Sequence, residues 1–112
     1  MLRLHAYAYD RPDSLDAALR LLAEAGEGGM LIAGGTDVMP NMKHRLFTPN
    51  RLIALKNVRE LRGVDVTANE LRIGAAETLH DVSEHALVQR HVPALARAAG
   101  LVAGPQLRNM GT

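Results

Sequence analysis

The run Met30-Leu31-Ile32-Ala33-Gly34-Gly35-Thr36-Asp37-Val38-Met39-Pro40 is where this chain concentrates its capacity for chemistry. An apolar stretch gives way to two glycines and then to residues that open helices. At such a turn a ligand can approach the backbone with no Cβ in its path. The first N–H groups of the following helix then stand as donors for an anion such as a phosphate. The same residues also build a plain tight turn, and on spacing alone the two readings are level. The turn is not the G-x-G-x-x-G of dinucleotide folds, and it lacks the Gly-Lys-Ser/Thr ending of a P-loop.

Other reactive side chains gather less well. His80 and His85 are five apart, not the four that sets two ligands on one helical face. His5, His44 and His91 are scattered, so structural roles are expected for all five. Asp10, Asp13 and Asp16 surround an expected helix start, where capping accounts for them better than acid–base work. No serine, histidine and acid form a nucleophilic set, and the absence of cysteine removes disulfides, thiolate metal sites and thiol nucleophiles. Met39 and Met42 share a helical face and are expected in a core.

The elements that must position the glycine turn can be read from periodicity. Leu4, Ala6 and Ala8 alternate as a first strand, and Arg11-Pro12-Asp13-Ser14 reads as a turn leading into a helix cap. Leu15, Ala18, Leu19 and Leu22 then form one apolar stripe at helical period, closed by Gly26, Gly28 and Gly29. Met30 to Ala33 reads as a strand covered on both faces. Thr36 or Asp37 is expected to cap a second helix, with Pro40 in its first turn and Val38, Met39, Met42 and Leu46 on its buried side. Lys43, His44 and Arg45 lie where the helix dipole favours cations. After Thr48-Pro49-Asn50, Leu52 to Leu55 is a third buried strand.

This β-α-β-α-β order predicts a small parallel sheet. The pattern changes between Lys56 and Gly63. Val64, Val66, Leu71 and Ile73 then alternate about Thr67-Ala68-Asn69-Glu70, a hairpin signature. Thr78-Leu79-His80-Asp81 resembles a capping box, Leu87 and Val88 continue that helix, and Pro93 opens another through Leu95, Ala98, Ala99 and Val102. The expected fold class is α+β.

Composition narrows the function classes. A net charge of +1 and 3% aromatic residues argue against a nucleic-acid binder, which needs a basic surface or stacking rings. The start, Met1-Leu2-Arg3-Leu4-His5-Ala6-Tyr7, is too polar for a secretory signal. No apolar run approaches the roughly 20 residues of a membrane span. A cytoplasmic setting without a membrane span is expected.

Four stretches resemble the FAD-binding subunit of molybdenum hydroxylases, the family of xanthine dehydrogenase, aerobic carbon monoxide dehydrogenase and hydroxybenzoyl-CoA reductase. They are Arg11-Pro12-Asp13-Ser14-Leu15, Leu31 to Lys43, Ile73-Gly74-Ala75-Ala76-Glu77-Thr78, and Gln106-Leu107-Arg108-Asn109-Met110-Gly111-Thr112. They fall in family order and span nearly the whole chain. The run Pro40 to Pro49 leans toward the hydroxybenzoyl-CoA reductase branch.

The resemblance implies a PCMH-type FAD-binding fold of two subdomains, 1–56 and the beginning of a second over 57–112. It implies flavin contact at Leu31, Ile32, Ala33, Gly34, Gly35, Thr36, Asp37 and Val38, with Gly34, Gly35 and Thr36 nearest the pyrophosphate. Thr112 matches the first residue of a second signature that continues Ile-Gly-Gly-Asn in the family, so a truncated second subdomain is expected. The implied role is electron relay between FAD and iron–sulfur clusters on a small partner subunit. The molybdenum cofactor would sit on a large one, in a heterotrimeric-type complex, and no acid–base catalyst is implied in this chain. The alternative expectation is a non-catalytic fragment acting at most as a subunit-interaction module.

Overall fold

The computed structural model describes residues 2–112, which form two compact units divided between Arg59 and Glu60. The first unit contains β1 (Ala8–Asp10), α1 (Leu15–Ala25), β2 (Gly29–Ile32), α2 (Val38–Lys43) and β3 (Arg51–Ala54). Its three strands are parallel in the order β1-β3-β2. The last strand in sequence is therefore the central one, and Leu52, Ile53 and Ala54 are buried. Ile32, Met42, Leu52 and Ala54 make the core, closed by Leu4, Tyr7, Met30, Val38, Met39 and Phe47.

Several expectations shift by a residue or a face. The first strand begins at Ala8 and not at Leu4, because pairing to β3 starts at Arg51; Leu4 packs on the core without belonging to a strand. β2 is not covered on both faces: it lies at the sheet edge, with Ile32 7% and Leu31 41% exposed. On α1 the packed side centres on Ala18, with Leu21, Leu22 and Ala25 partly covered, while Leu15 and Leu19 are exposed. That helix carries two overlapping apolar sets at the same period, and only packing chooses between them. Leu46 is 70% exposed, because Arg45 (φ +58°) turns the chain and Phe47 reaches the core instead.

The cap of α1 is as expected. Ser14 is extended (φ −139°, ψ 156°) and its hydroxyl accepts from the Ala17 N–H at 3.2 Å. At the other end Gly26 (φ +58°) returns its N–H to the Leu22 carbonyl. Ser14→Ala is expected to lower the stability of this unit by about 1 kcal/mol, read from the urea midpoint.

The second unit opens with the expected hairpin, β4 (Val64–Val66) and β5 (Leu71–Ile73), antiparallel with Val64 opposite Ile73. Four helices follow: α3 (Leu79–Glu84), α4 (Ala86–His91), α5 (Pro93–Leu101) and α6 (Pro105–Arg108). Val82, Val88, Ala96 and Ala99 form its core under Val64, Leu71, Ile73 and Leu79. The buried side of α5 is thus Ala96 and Ala99. Leu95, Ala98 and Val102 face outward, because small residues let α5 pack closely on α3. The expected continuous helix through Leu87 breaks at His85, whose extended backbone and imidazole Nδ1 cap α4 through the Leu87 N–H at 3.2 Å. Among the described residues no helix is long and apolar enough to cross a membrane.

Candidate functional site

The glycine turn joins the edge strand β2 to α2. Ile32 and Val38 turn their side chains to the core, so any ligand at those two positions meets backbone. Leu31, Ala33 and Asp37 are exposed, while Gly34, Gly35 and Thr36 are half-buried. These eight predicted residues form one continuous stretch. Thr112 belongs to the other unit and is exposed.

Gly35 is the residue the backbone requires. Its φ of +74° lies in the left-handed region, and a Cβ there would stand 3.1 Å from Ile32 Cδ1 and 3.3 Å from Met39 Cγ. Gly34 has no positive φ, so its lack of a side chain serves access and not backbone conformation.

The helical ladder begins with Met39 N–H donating to Gly35 O at 3.1 Å and Asn41 N–H to Asp37 O at 3.2 Å. Among the described residues, no group accepts from the N–H of Gly34, Gly35, Thr36, Asp37 or Val38. Five successive donors at the start of a helix suit an anion with several oxygens, such as a pyrophosphate. The expected side-chain cap is absent. Asp37 occupies the cap position of α2, but its carboxylate accepts from Asn41 Nδ2 at 3.0 Å.

The other candidates take structural roles. His5 Nε2 lies 2.7 Å from the Pro49 carbonyl, and His85 caps a helix. Asp10 pairs with Arg51 at 2.9 Å and Asp16 with Arg20 at 3.3 Å, where capping was expected. Met42 is fully buried in the core and Met39 packs against it. No three metal-ligating side chains gather among the described residues.

The stretch Ile73 to Thr78 is a backbone lock. Gly74 N–H donates to Gly63 O at 2.8 Å and Ala76 N–H to Leu61 O at 2.9 Å. The Glu77 carboxylate accepts from Gly63 N–H at 2.7 Å and pairs with Arg62 Nε at 3.2 Å. Arg62 also donates to the Ala76 carbonyl at 2.8 Å and to Asp81 at 3.4 Å. Asp81 is thereby drawn away from Thr78. The capping box is half made, with only the Thr78 hydroxyl accepting from Asp81 N–H at 3.1 Å. Arg62 went unnoticed in the sequence, since nothing in its spacing ties it to Glu77.

The stretch Gln106 to Thr112 is held in a similar way. Arg108 donates to the carbonyls of Val102 and Ala103 at 2.9 and 2.7 Å, and buried Gly111 accepts from Leu79 N–H at 2.9 Å.

Residues 5–112 match the family model of the FAD binding domain in molybdopterin dehydrogenase. The carbon monoxide dehydrogenase medium chain of Hydrogenophaga pseudoflava is 39% identical over 106 residues, covering 95% of this chain and 37% of that relative. The xanthine dehydrogenase FAD-binding subunit of Escherichia coli O157:H7 is 40% identical over 106 residues, covering 94% of this chain and 36% of its own length. Among solved structures, carbon monoxide dehydrogenase from Hydrogenophaga pseudoflava superposes with a TM-score of 0.95 at 37% identity, over 98% of this chain and 38% of that one. The chain therefore spans less than two-fifths of the length of the relatives it matches.

Proposed function

We infer, for a chain that belongs to the FAD-binding domain family of molybdopterin dehydrogenases, that the stretch Leu31 to Val38 receives the pyrophosphate of FAD. The observation that carries this reading is the row of unengaged N–H groups from Gly34 to Val38, set behind a glycine pair. In this reading Gly34, Gly35 and Thr36 hold the phosphate oxygens. Leu31 and Ala33 present the exposed face of the strand, and Ile32, Asp37 and Val38 contribute backbone. Thr112 is proposed as a further contact from the second unit. Residues 1–56 and 57–112 are read as the first FAD-binding subdomain and the beginning of the second.

FAD supplies the redox chemistry when bound, and the chain's task is to hold and orient it. The protein is proposed to serve as the flavin part of a molybdenum-hydroxylase-type oxidoreductase. It would pass electrons between FAD and the iron–sulfur clusters of a small partner subunit, with the molybdenum cofactor on a large one. The names of the relatives, a medium chain and an FAD-binding subunit, support such an assembly. A cytoplasmic setting agrees with the absence of cysteine.

The test is flavin titration of the complete gene product and its Gly34→Val variant, followed by fluorescence quenching, with the unfolding midpoint measured alongside. Branched carbon at Gly34 obstructs the approach to the row of donors, and the Kd for FAD is expected to rise about tenfold or more, equivalent to at least one lost phosphate contact. Unchanged affinity overturns the assignment of this turn.

A further inference from the structure

We propose that Asn41 is a positioning residue that keeps the Asp37 carboxylate out of the glycine turn, leaving the turn's N–H groups to the cofactor phosphates. The inference rests on the FAD reading, which stands on the family match, and adds which side chain must be held away for that reading to work.

Aspartate is among the strongest N-cap residues, and it caps by accepting from the N–H two or three positions ahead. At α2 both routes are closed. Two positions ahead is Met39, whose N–H already donates to Gly35 O at 3.1 Å. Three positions ahead is Pro40, which has no N–H.

The backbone of Asp37 agrees with this. Ser14 and Thr78 cap from extended conformations, with ψ of 156° and 155°. Asp37 instead has helical angles, φ −105° and ψ −47°. From those angles a side chain meets the residue four positions on. Asn41 stands there, and its Nδ2 donates to Asp37 Oδ2 at 3.0 Å.

The consequence is electrostatic. A carboxylate swung into the turn would accept the same N–H groups that a phosphate needs, and it would bring negative charge against negative charge. Pro40 removes the donor that would draw it in, and Asn41 gives it another partner.

The experiment measures FAD affinity on the complete gene product for Asn41→Ala, Asp37→Ala, the double variant and Pro40→Ala, with unfolding midpoints for each. Asn41→Ala is expected to weaken FAD about five- to tenfold, the worth of one competing charged hydrogen bond. Asp37→Ala is expected to bind at least as tightly as the parent. The double variant is expected to match Asp37→Ala, because Asn41 has nothing left to hold. Pro40→Ala offers Asp37 a cap donor, so the unfolding midpoint is expected to hold or rise while FAD binding weakens.

A merely structural Asn41 would leave the double variant as weak as Asn41→Ala, and that result overturns the proposal. Parental affinity in Asn41→Ala, with Gly34→Val still impaired, also overturns it while leaving the FAD reading intact. Parental affinity in both variants removes the FAD reading itself.

Discussion

Gly35→Val is expected to destabilise the first unit by about 2–4 kcal/mol and to weaken FAD binding at least a hundredfold. Two costs add. A β-branched residue held at a left-handed φ carries about 1–2 kcal/mol of backbone strain. Its Cβ also arrives 3.1 Å from Ile32 Cδ1 and 3.3 Å from Met39 Cγ. Ile32 belongs to the buried core and Met39 packs against it, so relief means moving the end of β2 or the start of α2, at a further 1–3 kcal/mol or so. Either movement displaces the row of N–H groups, which lies between those two elements. Urea unfolding and flavin titration give the two readouts. Gly35→Ala should cost about half as much, and Gly35→Asn less strain again, since asparagine tolerates the left-handed region. A valine variant with the parental midpoint and affinity would remove both the strain argument and the site.

How much of this was legible in the sequence depends on what kind of information each feature uses. Strand-to-helix punctuation is local, and Ser14, Gly26, Pro40 and the hairpin around Asn69 are placed as their side chains and backbone preferences dictate. Facing is not local. Leu15 and Leu19 fit the helical period as well as Leu21 and Leu22 do, and only the sheet behind α1 decides which pair is covered. Leu46 read as core because the period was extended one turn past a left-handed Arg45 that no rule assigns to arginine.

The candidate turn was legible as a motif, but its internal division of labour was not. Which glycine has the positive φ, and which way Asp37 points, depend on the neighbouring backbone. The run Pro40 to Pro49 likewise has local physical duties. Pro40 is in the first turn of α2, Met42 fills the core, and the Pro49 carbonyl meets His5.

The stretch around Gly74 shows why a family-like motif need not touch a ligand. Gly74→Ala is expected to cost the second unit about 3–5 kcal/mol, at the upper end for a single added methyl. An ideal Cβ at this position would lie 2.3 Å from the Leu61 carbonyl oxygen, 2.8 Å from its carbon and 2.9 Å from the Arg62 carbonyl carbon. All three are backbone atoms, so no rotamer change relieves the overlap. The two segments cannot part freely either, because Gly74 and Ala76 bond to Gly63 and Leu61 across the gap and Glu77 ties down Gly63. Making room for the methyl breaks at least one of these bonds.

Lost amide-exchange protection at Val82, Val88 and Ala99, the core of this unit, is the measurement. Exposed Ala75→Ser serves as the neutral neighbour. Parental protection in Gly74→Ala overturns the close-approach account. The contrast with Gly35 follows from geometry. At Gly74 a side chain meets only this unit's own backbone, so flavin binding should fail there only as far as the unit unfolds. At Gly35 a side chain strains the turn that carries the unengaged donors, so binding should fail even in the fraction that remains folded.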